Sequence, residues 1–322
     1  MVQKDSKAIA VVIPAFMVRD SIQKVIRSLS EDIAVIVVVD DCCPEKSGDQ
    51  AAALRDPRVV IVHHEFNRGV GGAMVSGYRK ALELGSDLIV KMDGDGQMDA
   101  DRIPDLLKPL QEGRADYAKG NRLRHYEHLR SMPKMRLFGN SILSFAVKMV
   151  SGYWNVMDPT NGFTVIKAEM LRQLPLHKLS TGYYFETDML ARLHVLRAVV
   201  RDVEMPAVYG SESSNLRIRN ILFRFPLKLT RSILRRLFLK YYIYDFNMAS
   251  IYLMAGLPLF LFGGCFGLVQ WILSVATGIP RTAGTIMLSA VCFVVGLQML
   301  LSAIQLDIAN VPDRVESSPR TN

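Results

Sequence analysis

Two carboxylates separated by one glycine, Asp93-Gly94-Asp95, form the strongest chemical motif in the sequence and directly follow an apolar run. Carboxylate oxygens suit hard cations such as Mg²⁺ and Mn²⁺, and these ions bridge phosphate oxygens. A metal ion held at this motif would neutralise a diphosphate as it leaves a substrate. An acidic turn is the alternative, because Asp-Gly is also common in turns.

A second pair of acids, Asp40 and Asp41, also follows an apolar run. Neighbouring acids at such a position could hydrogen-bond the base and the ribose of a nucleotide. They could equally cap a helix that begins near Pro44, since an aspartate at the N-cap accepts hydrogen bonds from backbone N–H groups. This motif therefore leaves a nucleotide site and a helix cap open.

A glycine-rich segment, residues 67–73, opens a helical pattern after the third apolar run. Met74 stands where the dinucleotide fingerprint requires a third glycine or alanine, and that fingerprint follows the first strand of its domain. The segment therefore argues against a nicotinamide-binding domain. It favours a glycine-rich turn near a diphosphate, which the backbone can approach closely because glycine has no side chain.

These motifs lie in a region where strand and helix patterns alternate. Nearly all-apolar, β-branched runs predict strands at residues 8–13, 33–39, 58–62 and 87–92. The helical patterns between them predict an α/β fold with a mostly parallel sheet covered on both faces. Ligands of such sheets bind at the carboxyl ends of the strands. Pro14 and both acidic motifs follow strand ends, so we expect them to share one edge of the sheet.

The charge distribution indicates an anionic partner. The chain has 322 residues, a net charge of +8 and 50% hydrophobic residues. Four basic residues after position 215 are spaced by four, three and four, namely Arg224, Lys228, Arg231 and Arg235. Residues at this spacing share one helical face, which predicts an amphipathic helix on an anionic membrane within residues 216–245. A solvated charge run or a nucleic-acid-binding helix is the alternative.

Residues 246–280 and 282–306 contain no Asp, Glu, Lys or Arg. Each segment exceeds the roughly 20 residues needed to cross a bilayer, so we predict transmembrane helices near residues 249–275 and 284–306. The flank before the first span is densely basic, whereas the connector holds only Arg281. The positive-inside rule then places the N-terminal domain and the tail, residues 307–322, in the cytoplasm. We expect an integral protein of the cell inner membrane that contacts lipid and no nucleic acid.

Taken together, the motifs resemble family 2 glycosyltransferases of the GT-A fold, a Rossmann-like architecture. They are Val12-Ile13-Pro14-Ala15-Phe16, Val39-Asp40-Asp41, Asn67-Arg68-Gly69-Val70-Gly71 and Asp93-Gly94-Asp95-Gly96-Gln97. In order and spacing they look like the dolichyl-phosphate mannose synthase and polyprenyl-phosphate glucose synthase branch. The resemblance covers residues 8–215, which predicts a catalytic domain over residues 1–215, and the two predicted spans match the membrane-anchored members.

The resemblance implies roles for individual residues. Contacts to the nucleotide-sugar are implied for Pro14, Ala15, Phe16, Asp40, Asp41, Arg68, Gly69, Asp93 and Gly94. Ligands to Mg²⁺ or Mn²⁺ are implied to be Asp93, Asp95 and Gln97. Catalytic roles are implied for Asp95, Arg122, Arg136, Glu186 and Asp188. Contacts to the acceptor phosphate are implied for Arg122, Arg136, Ser213, Asn215 and Arg217.

The expected reaction is an inverting transfer of a sugar from a UDP- or GDP-sugar to a polyprenyl phosphate, either undecaprenyl or dolichyl phosphate. Such an acceptor needs no general base, because phosphate oxygens are ionised near neutral pH, with a second pKa of roughly 6. A lipid or glycan hydroxyl acceptor, the second hypothesis, would need Glu186 or Asp188 as a base. An inactive membrane scaffold is the third. The sequence leaves the sugar, the donor base and assembly into a homo-oligomer open.

The sequence departs from the resembled family in three places. Met17-Val18 and Cys42-Cys43 replace the usual Asn-Glu and Gly-Ser pairs. The segment at residues 209–215, which resembles the loop that closes over the donor, lacks the arginine that some synthases carry. These departures weaken an assignment to mannose or to a GDP donor.

Overall fold

The computed structural model describes residues 7–122, 134–159, 161–182, 184–206 and 229–313, and gives only the backbone of residues 134–140, 142 and 143. Contacts divide the chain into two compact units, Met1–Ile233 with Pro312–Asn322 and Leu234–Val311. The first unit contains the motifs that carry chemistry, and the second contains the two long apolar segments.

The described part of the first unit is built on one seven-stranded sheet. Its strands are β1 Ile9–Ala15, β2 Val35–Asp40, β3 Val59–His63, β4 Leu88–Lys91, β5 Tyr117–Asn121, β6 Thr164–Lys167 and β7 Val200–Glu204. Their order in the sheet is β3-β2-β1-β4-β6-β5-β7. Strand β6 runs antiparallel to both of its neighbours, and every other pairing is parallel. The predicted mostly parallel sheet is therefore confirmed, and β1 to β4 lie within two residues of their predicted limits.

Helices connect the strands and continue into the second unit. They are α1 Ile22–Arg27, α2 Ser47–Ala52, α3 Gly69–Glu83, α4 Ile103–Gln111, α5 Lys134–Ser151, α6 Ala168–Gln173, α7 Phe185–Val195, α8 229–238, α9 Met248–Thr277 and α10 Ala283–Ala309. Short 3₁₀ turns lie at Ala100–Arg102 and Leu176–Lys178, and a π-helical turn at Leu239–Tyr244 continues α8.

Both faces of the central strands are covered, as the continuous apolar runs predict. On one face Val11 and Val90 pack with the apolar sides of α1 and α4 in the main core cluster. On the other face α3 approaches β1 and β2 so closely that a Cβ on Gly77 would collide with Val12. A glycine at this position therefore lets the helix lie directly on the sheet, and the packing holds the carboxyl ends of β1, β2 and β4 at one edge.

The two long helices of the second unit are α9, with 30 residues, and α10, with 27 residues. Both are long and apolar enough to span a membrane, and each contains one of the predicted spans. Their backbones approach closely, since a Cβ at Gly263 would collide with Phe293 and one at Gly296 with Phe260. Small residues at such crossings allow the close van der Waals packing by which helices associate in lipid.

An ionic cluster connects the end of α10 to the segment before α9. Asp307 is 4% exposed, and its carboxylate accepts two hydrogen bonds of 2.9 Å from Arg236. Lys240 and the Tyr241 hydroxyl donate to the same carboxylate at 3.1 and 2.7 Å. The predicted polar tail, residues 307–322, therefore begins inside a helix. Arg231 and Arg235, on the predicted basic face, are exposed.

Candidate active site

A cleft of about 140 Å³ lies at the carboxyl end of β4. Its lining includes the three predicted metal ligands, Asp93, Asp95 and Gln97. Arg122 and residues of the turn before β6, Asn161 and Gly162, also line it. The structure thus brings the predicted diphosphate side and part of the predicted acceptor side to one cavity.

The turn that carries Asp95 is shaped by backbone contacts. The Asp95 Oδ1 atom accepts a hydrogen bond of 2.9 Å from the backbone N–H of Gln97. Between them Gly96 has a φ of +78°, a left-handed conformation that glycine adopts without a Cβ penalty. The Gly94 carbonyl accepts a hydrogen bond of 2.6 Å from the Ser21 hydroxyl. This turn is therefore tied to the start of α1 and presents its carboxylates to the cleft.

Lys91 is the last residue of β4 and precedes this turn. It was not predicted as a site residue. Its side chain is 2% exposed, and its Nζ atom lies 3.0 Å from Asp93 Oδ1 and 3.3 Å from Glu186 Oε1. Burial opposes the charged form of Lys91, but the charges of Asp93 and Glu186 outweigh it and raise the pKa of Lys91 above its usual range. One signal was available: a lysine ends a strand that is otherwise apolar.

The paired acids after β2 have internal partners. Asp40 is 5% exposed and accepts hydrogen bonds from the backbone N–H groups of Cys43 at 2.8 Å and Gly48 at 2.7 Å. Asp41 is 3% exposed and accepts from the backbone N–H of Arg68 at 2.8 Å. Asp40 therefore binds a backbone N–H in the first turn of α2, although the N-cap residue of that helix is Lys46 and not an aspartate. A nucleotide contact by either acid stays a prediction.

A chain of polar contacts extends from Asp41 into α3. The His64 Nδ1 atom lies 2.6 Å from Asp41 Oδ1, and His64 Nε2 lies 2.8 Å from the Ser76 hydroxyl. These contacts join the ends of β2 and β3 to α3. They hold Asp41 beside the glycine-rich turn.

The glycine-rich turn packs against the segment before α7. The backbone N–H groups of Gly71 and Gly72 donate to the Thr181 carbonyl at 2.8 and 3.3 Å. A Cβ at Gly71 would collide with the Ser180 carbonyl, and Gly69 has a φ of +75°. These glycines therefore have a structural reason to be glycine. Diphosphate binding by Arg68 and Gly69 stays a prediction.

The end of β1 presents the predicted Pro14–Phe16 segment at the same edge of the sheet. Ala15 is buried and Phe16 is 44% exposed. Met17 follows with a φ of +57°, and its backbone N–H lies 3.1 Å from the Cys43 sulfur. The two departures from the family pattern, at Met17 and Cys43, therefore contact each other.

The two acids at the start of α7 are both engaged. Glu186 is 15% exposed and pairs with Lys91. Asp188 accepts from Arg192 Nε at 3.1 Å and from the backbone N–H of Ser180 at 3.0 Å. Neither acid is among the residues that line the cleft. The structure thus gives each acid an ion-pair partner, and a catalytic role of either acid stays a prediction.

Arg122 is held at the cleft by a buried carboxylate. Its Nε atom donates to Asp158 Oδ2 at 2.9 Å, and 42% of its side chain stays exposed. Burial opposes ionisation of Asp158, but the hydrogen bond and charge of Arg122 outweigh it and hold the pKa of Asp158 below its usual range. Arg136 lies on α5, at a position where only the backbone is described. The predicted phosphate contacts Ser213, Asn215 and Arg217 lie outside the described residues.

The model of the family described as glycosyl transferase family 2 matches residues 10–174, about half of the chain. The chain belongs to glycosyl transferase family 2. The matched region extends from β1 past β6, so it contains Asp93, Asp95 and the turn before β6 that also lines the cleft.

Three curated relatives of this family 2 glycosyltransferase are named for phosphorylated polyprenols. UDP-N-acetylglucosamine–dolichyl-phosphate N-acetylglucosaminyltransferase of Methanococcus voltae is 27% identical over 236 residues, 69% of this chain and 93% of that protein. Undecaprenyl-phosphate mannosyltransferase of Micrococcus luteus is 33% identical over 177 residues, 54% of this chain and 71% of that protein. Polyprenol monophosphomannose synthase of Mycolicibacterium smegmatis is 28% identical over 226 residues, 66% of this chain and 84% of that protein. The names of these relatives give two sugars, N-acetylglucosamine for the first and mannose for the other two.

A solved structure has the same fold as this family 2 glycosyltransferase. Glucosyl-3-phosphoglycerate synthase from Mycobacterium tuberculosis, in complex with Mn²⁺, UDP and phosphoglyceric acid, matches with a TM-score of 0.53 and 18% identity. The match covers 71% of this chain and 78% of that chain. The same synthase with Mg²⁺ and UDP matches with a TM-score of 0.51. This likeness establishes the fold, in agreement with the predicted GT-A architecture.

Proposed function

We propose that this family 2 glycosyltransferase moves a sugar from a nucleotide-sugar to a polyprenyl phosphate at the cytoplasmic face of a membrane. The observation that carries the proposal is the cleft that Asp93, Asp95 and Arg122 line together. Three further observations support it: the phosphorylated polyprenols in the names of three relatives, the two helices long enough to span a bilayer, and the basic flank before them.

The acidic residues that line the cleft fit a divalent cation that binds a diphosphate. Asp93 and Asp95 supply carboxylate oxygens and Gln97 an amide oxygen, which are the donors that Mg²⁺ and Mn²⁺ prefer. Among the described residues, no group of three or more His, Cys, Asp or Glu side chains could hold a metal ion. In the proposed complex, diphosphate oxygens of the donor would be further ligands of the ion. The bound ion would neutralise negative charge on the leaving diphosphate.

The guanidinium group of Arg122 in the cleft fits the phosphate of the acceptor. A guanidinium group binds phosphate through two parallel hydrogen bonds, and the ion pair with Asp158 fixes the orientation of Arg122. In the proposed step a phosphate oxygen of the lipid forms a bond to the anomeric carbon. The bond from that carbon to the diphosphate breaks, the nucleoside diphosphate leaves, and the configuration inverts.

The contacts of the two α7 acids support a phosphate acceptor. A hydroxyl acceptor needs a general base within hydrogen-bonding reach of its proton. Glu186 is paired with Lys91 and Asp188 with Arg192, and both lie outside the cleft lining. A phosphate acceptor is already ionised and needs no base. Catalysis then depends on positioning of the reactants and on electrostatic stabilisation of the leaving group.

A donor screen tests the proposed function. Purified full-length protein in detergent is incubated with undecaprenyl phosphate, Mn²⁺ or Mg²⁺, and a panel of UDP- and GDP-sugars. Organic extraction and mass spectrometry then detect a lipid-linked monosaccharide. We expect product with at least one donor and its loss in Asp95→Asn. The control is Asp32→Asn, which makes the same change in charge at an exposed acid of the same unit.

Two results would reject the proposal. Transfer to a lipid or glycan hydroxyl without transfer to the phosphate would establish the other acceptor class. Binding of a nucleotide-sugar with no transfer to any of these acceptors would favour a scaffold.

A further inference from the structure

Two lysines are buried in the sheet beneath the cleft. Lys91 on β4 and Lys119 on β5 both pair in register with Thr164 on β6, so the three residues form a row across three strands. Lys91 is 2% exposed and Lys119 is fully buried. Lys119 donates to the backbone carbonyl of Asn161, whereas Lys91 contacts two carboxylates. A buried lysine is almost always paired with an opposite charge or a hydrogen-bond acceptor. The two carboxylates that contact Lys91, those of Asp93 and Glu186, both belong to candidate site residues.

Lys91 joins three segments that are distant in sequence. Its Nζ atom contacts Asp93 in the turn after β4, the carbonyl of Gly162 at 3.3 Å in the turn before β6, and Glu186 at the start of α7. A Cβ at residue 162 would collide with that ammonium group, so glycine makes room for it. Because Asp93 and Gly162 both line the cleft, one buried cation contacts two of its lining segments.

The contact with Glu186 extends this connection to a fourth segment. Glu186 lies on the first turn of α7, and the residues just before α7 accept hydrogen bonds from the glycine-rich turn through the Thr181 carbonyl. A displacement of Glu186 would therefore act on α7 and on that turn. The Lys91–Glu186 pair connects the carboxylates of the cleft to the glycine-rich turn at the start of α3.

We propose that Lys91 is a positioning residue, whose ammonium group fixes Asp93 and Glu186 in one arrangement, and that Glu186 is the anchor of this pair rather than a base. The inference rests on the proposed function for its meaning in catalysis. Its physical basis is independent of the acceptor: Lys91→Met leaves two carboxylates without their cation, whereas removal of Lys91 and Glu186 together leaves only Asp93, whose side chain is 33% exposed.

A double-mutant cycle tests the inference with Lys91→Met, Glu186→Gln and the combined variant of the full chain in detergent. We expect Lys91→Met to lower kcat by about 100-fold, the effect expected of a misplaced reactive group, with a much smaller change in KM for the donor. Glu186→Gln is expected to keep activity within about tenfold, since loss of a general base costs about 10²- to 10⁴-fold. The combined variant is expected to recover at least part of the loss in kcat.

Thermal unfolding and Mn²⁺-dependent UDP binding provide readouts that need no acceptor. We expect Lys91→Met to unfold at a lower temperature than wild type, and the combined variant to recover. The control cycle uses Lys80→Met and Glu83→Gln, an exposed ion pair on α3, for which we expect additive and small effects. If Lys91→Met does not fold, Glu186→Gln and the combined variant still carry the test.

Specific results would overturn the inference. They are wild-type kcat in Lys91→Met, a loss in Glu186→Gln as large as that in Lys91→Met, or a combined variant with purely additive losses. Failure of the proposed function would look different: wild-type protein would form no lipid-linked product, while the unfolding and UDP-binding cycles would still report the coupling between Lys91 and Glu186.

Discussion

Replacement of Asp307 by asparagine is expected to release the segment before α9 from the end of α10. The Asp307 carboxylate is 4% exposed and binds Arg236, which is 3% exposed, through two hydrogen bonds of 2.9 Å. Lys240 adds a third contact at 3.1 Å. Asparagine keeps the size of the side chain and removes its charge, so two cations lose their anionic partner.

The magnitude follows from the burial of this pair. Breaking a buried ion pair by removing one partner costs about 3–5 kcal/mol. Since each 1.4 kcal/mol is a factor of ten in an equilibrium constant, a loss of about 3 kcal/mol raises the population of the locally opened state about 100-fold. Amide hydrogen exchange measures such local opening. We expect exchange of residues 229–244 in detergent micelles to accelerate by about that factor.

Two further variants separate the ion pair from other effects. Asp245→Asn removes an exposed carboxylate from the same unit and is expected to leave exchange unchanged. Asp307→Leu combined with Arg236→Met and Lys240→Met removes the carboxylate and both of its cations and is expected to restore most of the protection. Equal exchange in wild type and Asp307→Asn, or equal acceleration in Asp307→Asn and Asp245→Asn, would refute the reasoning.

Three other predictions concern the first unit. Burial raises the pKa of Asp202 to about 6, so the folded state retains a proton that the unfolded state loses above its pKa of roughly 3.9. The free energy of unfolding of the wild-type protein should therefore fall as pH rises from about 4 to 6. In chemical unfolding, Asp202→Asn should be more stable than wild type by up to about 3 kcal/mol at pH 7.5 and equally stable near pH 4. Gly71→Ala should lower the unfolding temperature, because its Cβ collides with a carbonyl, whereas Gly182→Ala, with open space around its Cβ, should have little effect. Arg122→Lys should raise KM for the lipid phosphate more than KM for the donor, because lysine is a point charge without paired donors; equal changes in both KM values would contradict this role.

The sequence was sufficient to predict strands β1 to β4, the two long helices and the Asp93-Gly94-Asp95 motif. Strands β1 to β4 are continuous apolar runs, and a local pattern is sufficient to predict a strand that is buried on both faces. The two long helices follow from uncharged segments that exceed the thickness of a bilayer. The Asp93-Gly94-Asp95 motif follows directly from residue types and spacing, and the structure locates both carboxylates at the cleft.

The contacts between charged side chains, in contrast, became known from the tertiary structure alone. Lys91 and Glu186 are far apart in the chain. Their contact depends on the position of antiparallel β6 between β4 and β5 and on the packing of α7. Neither arrangement can be predicted from a local sequence pattern. Asp307 and Arg236 are 71 positions apart, and Asp307 was predicted to belong to a polar tail. Spacing predicts contacts within an element, where geometry is periodic. Contacts between elements depend on how the whole chain packs, so the partners of buried charges were not predictable from the sequence.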